Sequence, residues 1–164
     1  MLDKQINSFV NDKELPLTEE IVYETNDGKS AWVEARKFLL EQKPLEPLLK
    51  HPGLVKAANE HQRDICSTSI FGHQGSDGST FSERILRYCK KGPGAMAEII
   101  GADFDLEGRN TAEMTILSLI IDDGVKDRGH RKTIYNKNYK YVGYSSGKKD
   151  EKFVTVFTLT ENKL

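Results

Sequence analysis

The chain has 164 residues, with 24 Lys plus Arg against 25 Asp plus Glu and a net charge of −1. That length suits one domain with a core that needs no staples, and 37% hydrophobic with 30% charged residues places it away from disordered chains. The near-neutral balance argues against nucleic acid or an anionic membrane as the main partner, since both demand a basic face, and two cysteines are too few for a disulfide-dense scaffold.

Residues 1–28 differ from the rest, with seven acids (Asp3, Asp12, Glu14, Glu19, Glu20, Glu24, Asp27) against two bases, Lys4 and Lys13. They read as an acidic arm before a domain over residues 29–164, and the arm is the candidate contact for a protein partner. Met1-Leu2-Asp3-Lys4-Gln5 lacks the apolar run of a signal peptide, so the expected location is cytoplasmic; the alternative is a secreted protein whose leader has been removed. Ala31, Ala35, Phe38 and Leu39 recur at helical spacing, and Pro44 and Pro47 break the pattern.

A second helix is predicted over about 53–67, with Leu54, Ala57, Ala58, His61 and Ile65 on one stripe, which makes His61 a core histidine. His51, next to Pro52, is expected at the surface. The segment Gly72-His73-Gln74-Gly75-Ser76-Asp77-Gly78-Ser79 is a loop by composition. Thr80-Phe81-Ser82-Glu83 fits a capping box and opens a third helix that ends near Cys89. Ala95 to Gly101 reads as a strand carrying one acid, Glu98, and a lone carboxylate there is costly without a partner.

Asn110-Thr111-Ala112-Glu113 is a second capping box before an apolar helix to Ile121, which Asp122-Asp123-Gly124 stops. The apolar stretch Ile116-Leu117-Ser118-Leu119-Ile120-Ile121 is too short to span a bilayer. The C-terminal part reads as a hairpin: Tyr139 to Ser145, a turn around Gly147-Lys148-Lys149-Asp150, then Phe153 to Leu159. The second of these strands is apolar on both faces and calls for cover on both, so the elements add up to helix, sheet and helix in layers. Trp32, Phe38 and the hairpin aromatics are assigned to the core, and Cys66 and Cys89 are read as free thiols.

No phosphate loop, His-Glu-x-x-His pair, CxxC or Gly-x-Ser-x-Gly elbow is present. His73 and His130 both sit in glycine-flanked settings, with Glu83 and Glu98 in neighbouring elements. Two imidazoles and two carboxylates would suit a divalent transition metal or a proton-transfer pair if folding joined them. Glu83 has a second reading, as the acid of its own capping box.

Ser118-Leu119-Ile120-Ile121-Asp122-Asp123-Gly124-Val125 followed by Arg128-Gly129-His130-Arg131-Lys132-Thr133-Ile134-Tyr135-Asn136 resembles the CAP superfamily of cysteine-rich secretory, antigen 5 and pathogenesis-related proteins. Ala57-Ala58-Asn59-Glu60-His61-Gln62-Arg63-Asp64 with the His73 loop, and Tyr141-Val142-Gly143-Tyr144, resemble further segments in the family's order, and the likeness is to its bacterial and protist members. It implies an α/β fold, a three-layer α-β-α sandwich with a central mainly antiparallel sheet. It also implies a cleft tetrad of His73, Glu83, Glu98 and His130, with the histidines as ligands for Zn2+ or a similar ion. The chain departs from the pattern at Ala97-Glu98-Ile99-Ile100, where the family has Gly-Glu-Asn-Ile.

The resulting expectation is a non-enzymatic binding module, possessing a metal cleft or forming a structural part of a larger assembly, with a lipid as a further candidate ligand. The alternatives are a metal-assisted hydrolase using Glu98 or Glu83 as base, and a secreted lipid- or sterol-binding protein.

Overall fold

The computed structural model describes residues 1–89, 92–104 and 111–162. Its elements in chain order are α1 (Leu2–Ser8), β1 (Glu14–Pro16), β2 (Val22–Glu24), α2 (Lys29–Glu41), β3 (Leu49–Lys50), α3 (Pro52–Ser67) and α4 (Phe81–Tyr88). They continue with β4 (Met96–Phe104), α5 (Thr111–Ile121), α6 (Gly129–Ile134), β5 (Tyr141–Lys149) and β6 (Lys152–Thr160). The chain forms two compact units, residues 1–44 with 116–135 and residues 45–115 with 136–164.

In the first unit, Ala31, Trp32 and Ala35 fall on one face of α2 and are buried with Leu15, Ile120 and Ile121. Leu2, Ile6 and Phe9 from residues 1–28 pack against this core, and the Phe9 ring meets Trp32 edge-on at 5.2 Å. β1 and β2 pair antiparallel with Leu15 opposite Tyr23. Part of the apolar content of the acidic segment is therefore engaged within its own unit, while Val10 and Val22 stay exposed, and burying Leu15 alone contributes about 2 kcal/mol. The helix α6 was not foreseen: His130 lies in its first turn rather than in a loop.

The second unit is built on a four-stranded sheet in the order β3-β5-β6-β4. β5, β6 and β4 are antiparallel, and β3 adds to β5 in parallel, with Leu49 opposite Tyr141. Ala58 and Ile65 of α3 pack against Ile100, Val154 and Val156 of the sheet, while Leu54 and Ala57 meet Ile85 of α4 and Cys89, which caps its C-terminus. α3 approaches so closely that a Cβ on Gly143 would lie 2.1 Å from the Leu54 carbonyl carbon, which leaves glycine as the residue that fits. At the other end of α3, Lys149 Nζ donates to the carbonyls of Ile65 (2.7 Å) and Thr68 (2.6 Å), satisfying acceptors that the helix leaves open.

The α/β class and the mainly antiparallel sheet stand as the sequence implied, and both faces of β6 are buried. Several details differ. The β4 strand runs to Phe104, and the hairpin turn tightens to Asp150 and Glu151, with Asp150 at φ 55° and Gly147 inside β5. Tyr144 is 47% exposed and not core, because its ring stacks under the Lys50 ammonium at 4.8 Å. His51 is half-buried as the N-cap of α3, its Nδ1 accepting from Gly53 N at 3.2 Å. The capping box expected at 110–113 begins outside the described residues. Both cysteines are free.

Candidate functional site

The His73 loop is fastened from three sides before its imidazole is considered. Asp64 of α3 accepts from the backbone N–H of Ser76 at 2.7 Å and from its hydroxyl. The fully buried His61, also on α3, donates from Nε2 to the Gly72 carbonyl at 2.7 Å. Arg84 of α4 reaches back to the carbonyls of His73 and Ser79, both at 2.8 Å. Such a loop has few soft dihedrals left, and the ring it carries is fixed to match.

Glu98 is the third residue of β4, opposite Thr158 of β6, and its side chain is fully buried. Its Oε1 takes the Nδ1–H of His73 at 2.9 Å, and both carboxylate oxygens take Arg84 Nη2 at 3.0 Å. The Arg84 side chain is 2% exposed, so the buried charge of Glu98 is answered by a buried cation. His61 Nε2 lies 3.7 Å from the same Oε1. With Nδ1 committed to the carboxylate, Nε2 is the ring nitrogen that remains for another partner, on a side chain that is 52% exposed.

Glu83 is placed differently. Its Oε2 accepts from the backbone N–H (2.8 Å) and hydroxyl (2.9 Å) of Thr80, whose oxygen in turn accepts from Glu83 N, so the complete capping box forms. These bonds hold the Glu83 carboxyl below the usual carboxylate range, the backbone N–H of Thr80 first among them. The structure brings His73 and Glu98 together, and it gives Glu83 to the start of α4.

His130 belongs to the first unit and has its own carboxylate. α5 ends at Ile121, and Asp122 turns into the left-handed region at φ 59°. From there its Oδ1 takes the His130 Nδ1–H at 2.6 Å and its Oδ2 takes the His130 backbone N–H at 2.9 Å. The Asp122 hydrogen bond raises the His130 pKa above its ordinary value, against the opposing effect of burial.

The turn that makes this possible is clasped reciprocally. Asp123 accepts from the backbone N–H groups of Asn26 (2.8 Å) and Asp27 (2.7 Å), and Asp27 accepts from Gly124 N at 2.9 Å. Arg128, itself left-handed at φ 53°, donates to Asp27 at 2.6 Å, to the Asp122 carbonyl at 2.7 Å and to Glu34 at 2.9 Å. The Arg128 hydrogen bond is the main cause that lowers the pKa of Asp27 and of Glu34.

Three residues that carry this arrangement were missed in the sequence. Asp122 reads as a helix stop, Arg84 as one more charge on an amphipathic helix, and His61 as core filling. The one signal on offer was Glu98, whose burial requires a partner that the sequence does not name. Among the described residues, no group of three or more His, Cys, Asp or Glu side chains is placed to hold a metal ion.

The sequence pattern of the cysteine-rich secretory protein family, CAP, matches residues 24–160. The chain belongs to the CAP family. Two solved structures share the CAP fold with it at low identity. One is an outer surface protein of Borrelia burgdorferi, with TM-score 0.58 and 20% identity over 79% of this chain and 86% of that one. The other is an extracellular protein containing an SCP domain from Bacillus anthracis, with TM-score 0.53 and 19% identity over 82% of this chain. This CAP chain spans 38% of the length of the anthracis protein. No protein of curated function matches the sequence. Among the described residues, no helix is long and apolar enough to cross a membrane.

Proposed function

We propose that this CAP domain is a non-enzymatic binding module in which His73 and His130, each within its own unit, offer Nε2 as a ligand to divalent transition ions, Zn2+ foremost. One observation carries the reading: each imidazole has a buried carboxylate on Nδ1, Glu98 for His73 and Asp122 for His130. A carboxylate or carbonyl on the inner nitrogen is the usual support of a metal-bound histidine, because it fixes ring and tautomer and raises the basicity of the outer nitrogen. The residues fit such an ion as nitrogen ligands; the other coordination positions fall to water or to the bound partner, as in an open site. A bound ion would supply Lewis acidity and a fixed point of attachment.

The hydrolase alternative needs a free base, and both candidate acids are engaged. Glu98 is held by Arg84 and His73, and Glu83 by Thr80. In the acidic segment Asp3 and Asp27 are paired with Arg36 and Arg128, and the surface left to a protein partner consists of acids such as Glu19 and Glu20 together with exposed Val10 and Val22. Two structural relatives are an outer surface protein and an extracellular protein, which supports the secreted alternative over a cytoplasmic location.

Zinc titration by calorimetry tests the reading on the wild type, His73→Ala, His130→Ala and the double variant. Each single change is expected to remove binding at its own histidine and leave it at the other, and the double variant should not bind. Equal binding by the wild type and the double variant would remove both histidines from the function.

A further inference from the structure

A buried Glu–Arg pair is a poor way to stabilise a core, because desolvating two charges cancels most of their attraction and well-packed apolar residues do as well or better. Arg84 and Glu98 form such a pair, with side chains 2% and 0% exposed. The guanidinium also leaves its own Nε buried without a hydrogen-bond partner. An arginine placed for stability would be expected to satisfy all its donors. What Arg84 does satisfy converges on the His73 loop and its carboxylate: Nη2 bridges both oxygens of Glu98 and the carbonyl of His73, and Nη1 holds Ser79 at the other end of the same loop. One planar fork thus fixes the backbone of His73 and the carboxylate that orients its ring.

We propose that Arg84 is a positioning residue that acts through Glu98 to set the tautomer of His73, keeping Nδ1 protonated and Nε2 free to bind an ion. The inference rests on the reading of His73 as a nitrogen donor. Because Nη2 draws on both carboxylate oxygens, Glu98 can only accept from His73, and the ring proton is held at Nδ1. The same pairing engages both oxygens of Glu98, so an incoming ion meets the imidazole and not a free carboxylate. That choice favours imidazole-preferring ions such as zinc over calcium or magnesium.

The geometry makes an unusual forecast for Glu98→Gln. Arg84 would claim the amide oxygen, which leaves the amide NH2 facing His73 Nδ1. A donor there reverses the ring, so the proton moves to Nε2 and the outer lone pair is lost.

Nitrogen-15 imidazole spectra of the metal-free protein at pH 8 read the tautomer directly. The wild type is expected to show His73 protonated at Nδ1, Glu98→Gln to show it protonated at Nε2, and the volume-matched double variant Arg84→Met/Glu98→Leu to show an average of both. Zinc affinity should fall tenfold to a hundredfold in both variants, with Ca2+ as a control that binds none of them. An unchanged Nδ1–H pattern in Glu98→Gln, or in the folded double variant, would overturn the role of Arg84. If the wild type binds no zinc while the tautomers shift as described, the metal reading fails and the positioning role stands.

Discussion

His73 and His130 are mounted by the same chemistry on different foundations. Glu98 is the third residue of a nine-residue strand and Arg84 lies on a capped helix, so the His73 support is assembled from regular elements. Asp122 and Arg128 are both non-glycine residues in the left-handed region, and the His130 support is a loop held in shape by a clasp. The charges are balanced differently too. Glu98 is neutralised by a buried cation, whereas Asp122 is met by backbone N–H groups and by the imidazole itself. The first mount is stiff because its elements are; the second is stiff while its ion pairs hold.

This contrast is most easily broken by removing the two arginines in turn. Arg84→Met strands the Glu98 charge in the core and is expected to cost about 3–5 kcal/mol in urea unfolding. Arg128→Met should cost far less, because its partners Asp27 and Glu34 are 37% and 49% exposed and water can replace the guanidinium. Equal losses would mean that the two mounts are alike after all.

Asp122→Asn probes the second mount without disturbing its backbone, since asparagine tolerates the left-handed conformation. The His130 pKa is raised in the folded protein, so the stabilisation is fully present below about 6.5, the unfolded value, and is lost as pH rises through the folded one. Unfolding measured from pH 6 to 9 should show that decline in the wild type. A decline of the same size in the variant would show that another group titrates.

Smaller effects sharpen the first mount. Thr80→Ala removes the cap of the helix that carries Arg84 and should cost about 1 kcal/mol by thermal or urea unfolding. Glu83→Gln is the mildest change, expected to leave the zinc titration unaltered because the carboxylate serves the helix start. A tenfold loss of zinc binding in that variant would return Glu83 to the ion.

The sequence discloses the regular part of the first mount. An acid inside an apolar run, the glycine-flanked His73 and Thr80 three residues before Glu83 are local patterns, and each occupies the element it signals. The burial of Arg84 is tertiary: arginine on a short amphipathic helix looks the same whether it faces water or a carboxylate 14 residues away. Asp122 hides for another reason. An acid after an apolar helix signals a stop, but that it would turn left-handed and reach forward to His130 depends on Asp27 and Arg128, the latter's bond to Asp27 spanning 101 residues. Residues 1–28 show why charge counts mislead about packing: the acids dominate the tally, and the few apolar residues between them, Leu15 above all, enter the core.

The backbone contact between Gly143 and the first turn of α3 has a consequence in time as well as in space. The Val55 N–H is bonded to the His51 carbonyl at 3.1 Å, and a Cβ on Gly143 would lie 2.2 Å from that nitrogen. No side chain stands between strand and helix there to swing aside and admit water. The Val55 amide should therefore exchange its hydrogen for deuterium only when the second unit unfolds as a whole, and its exchange rate would serve as a clock for that event.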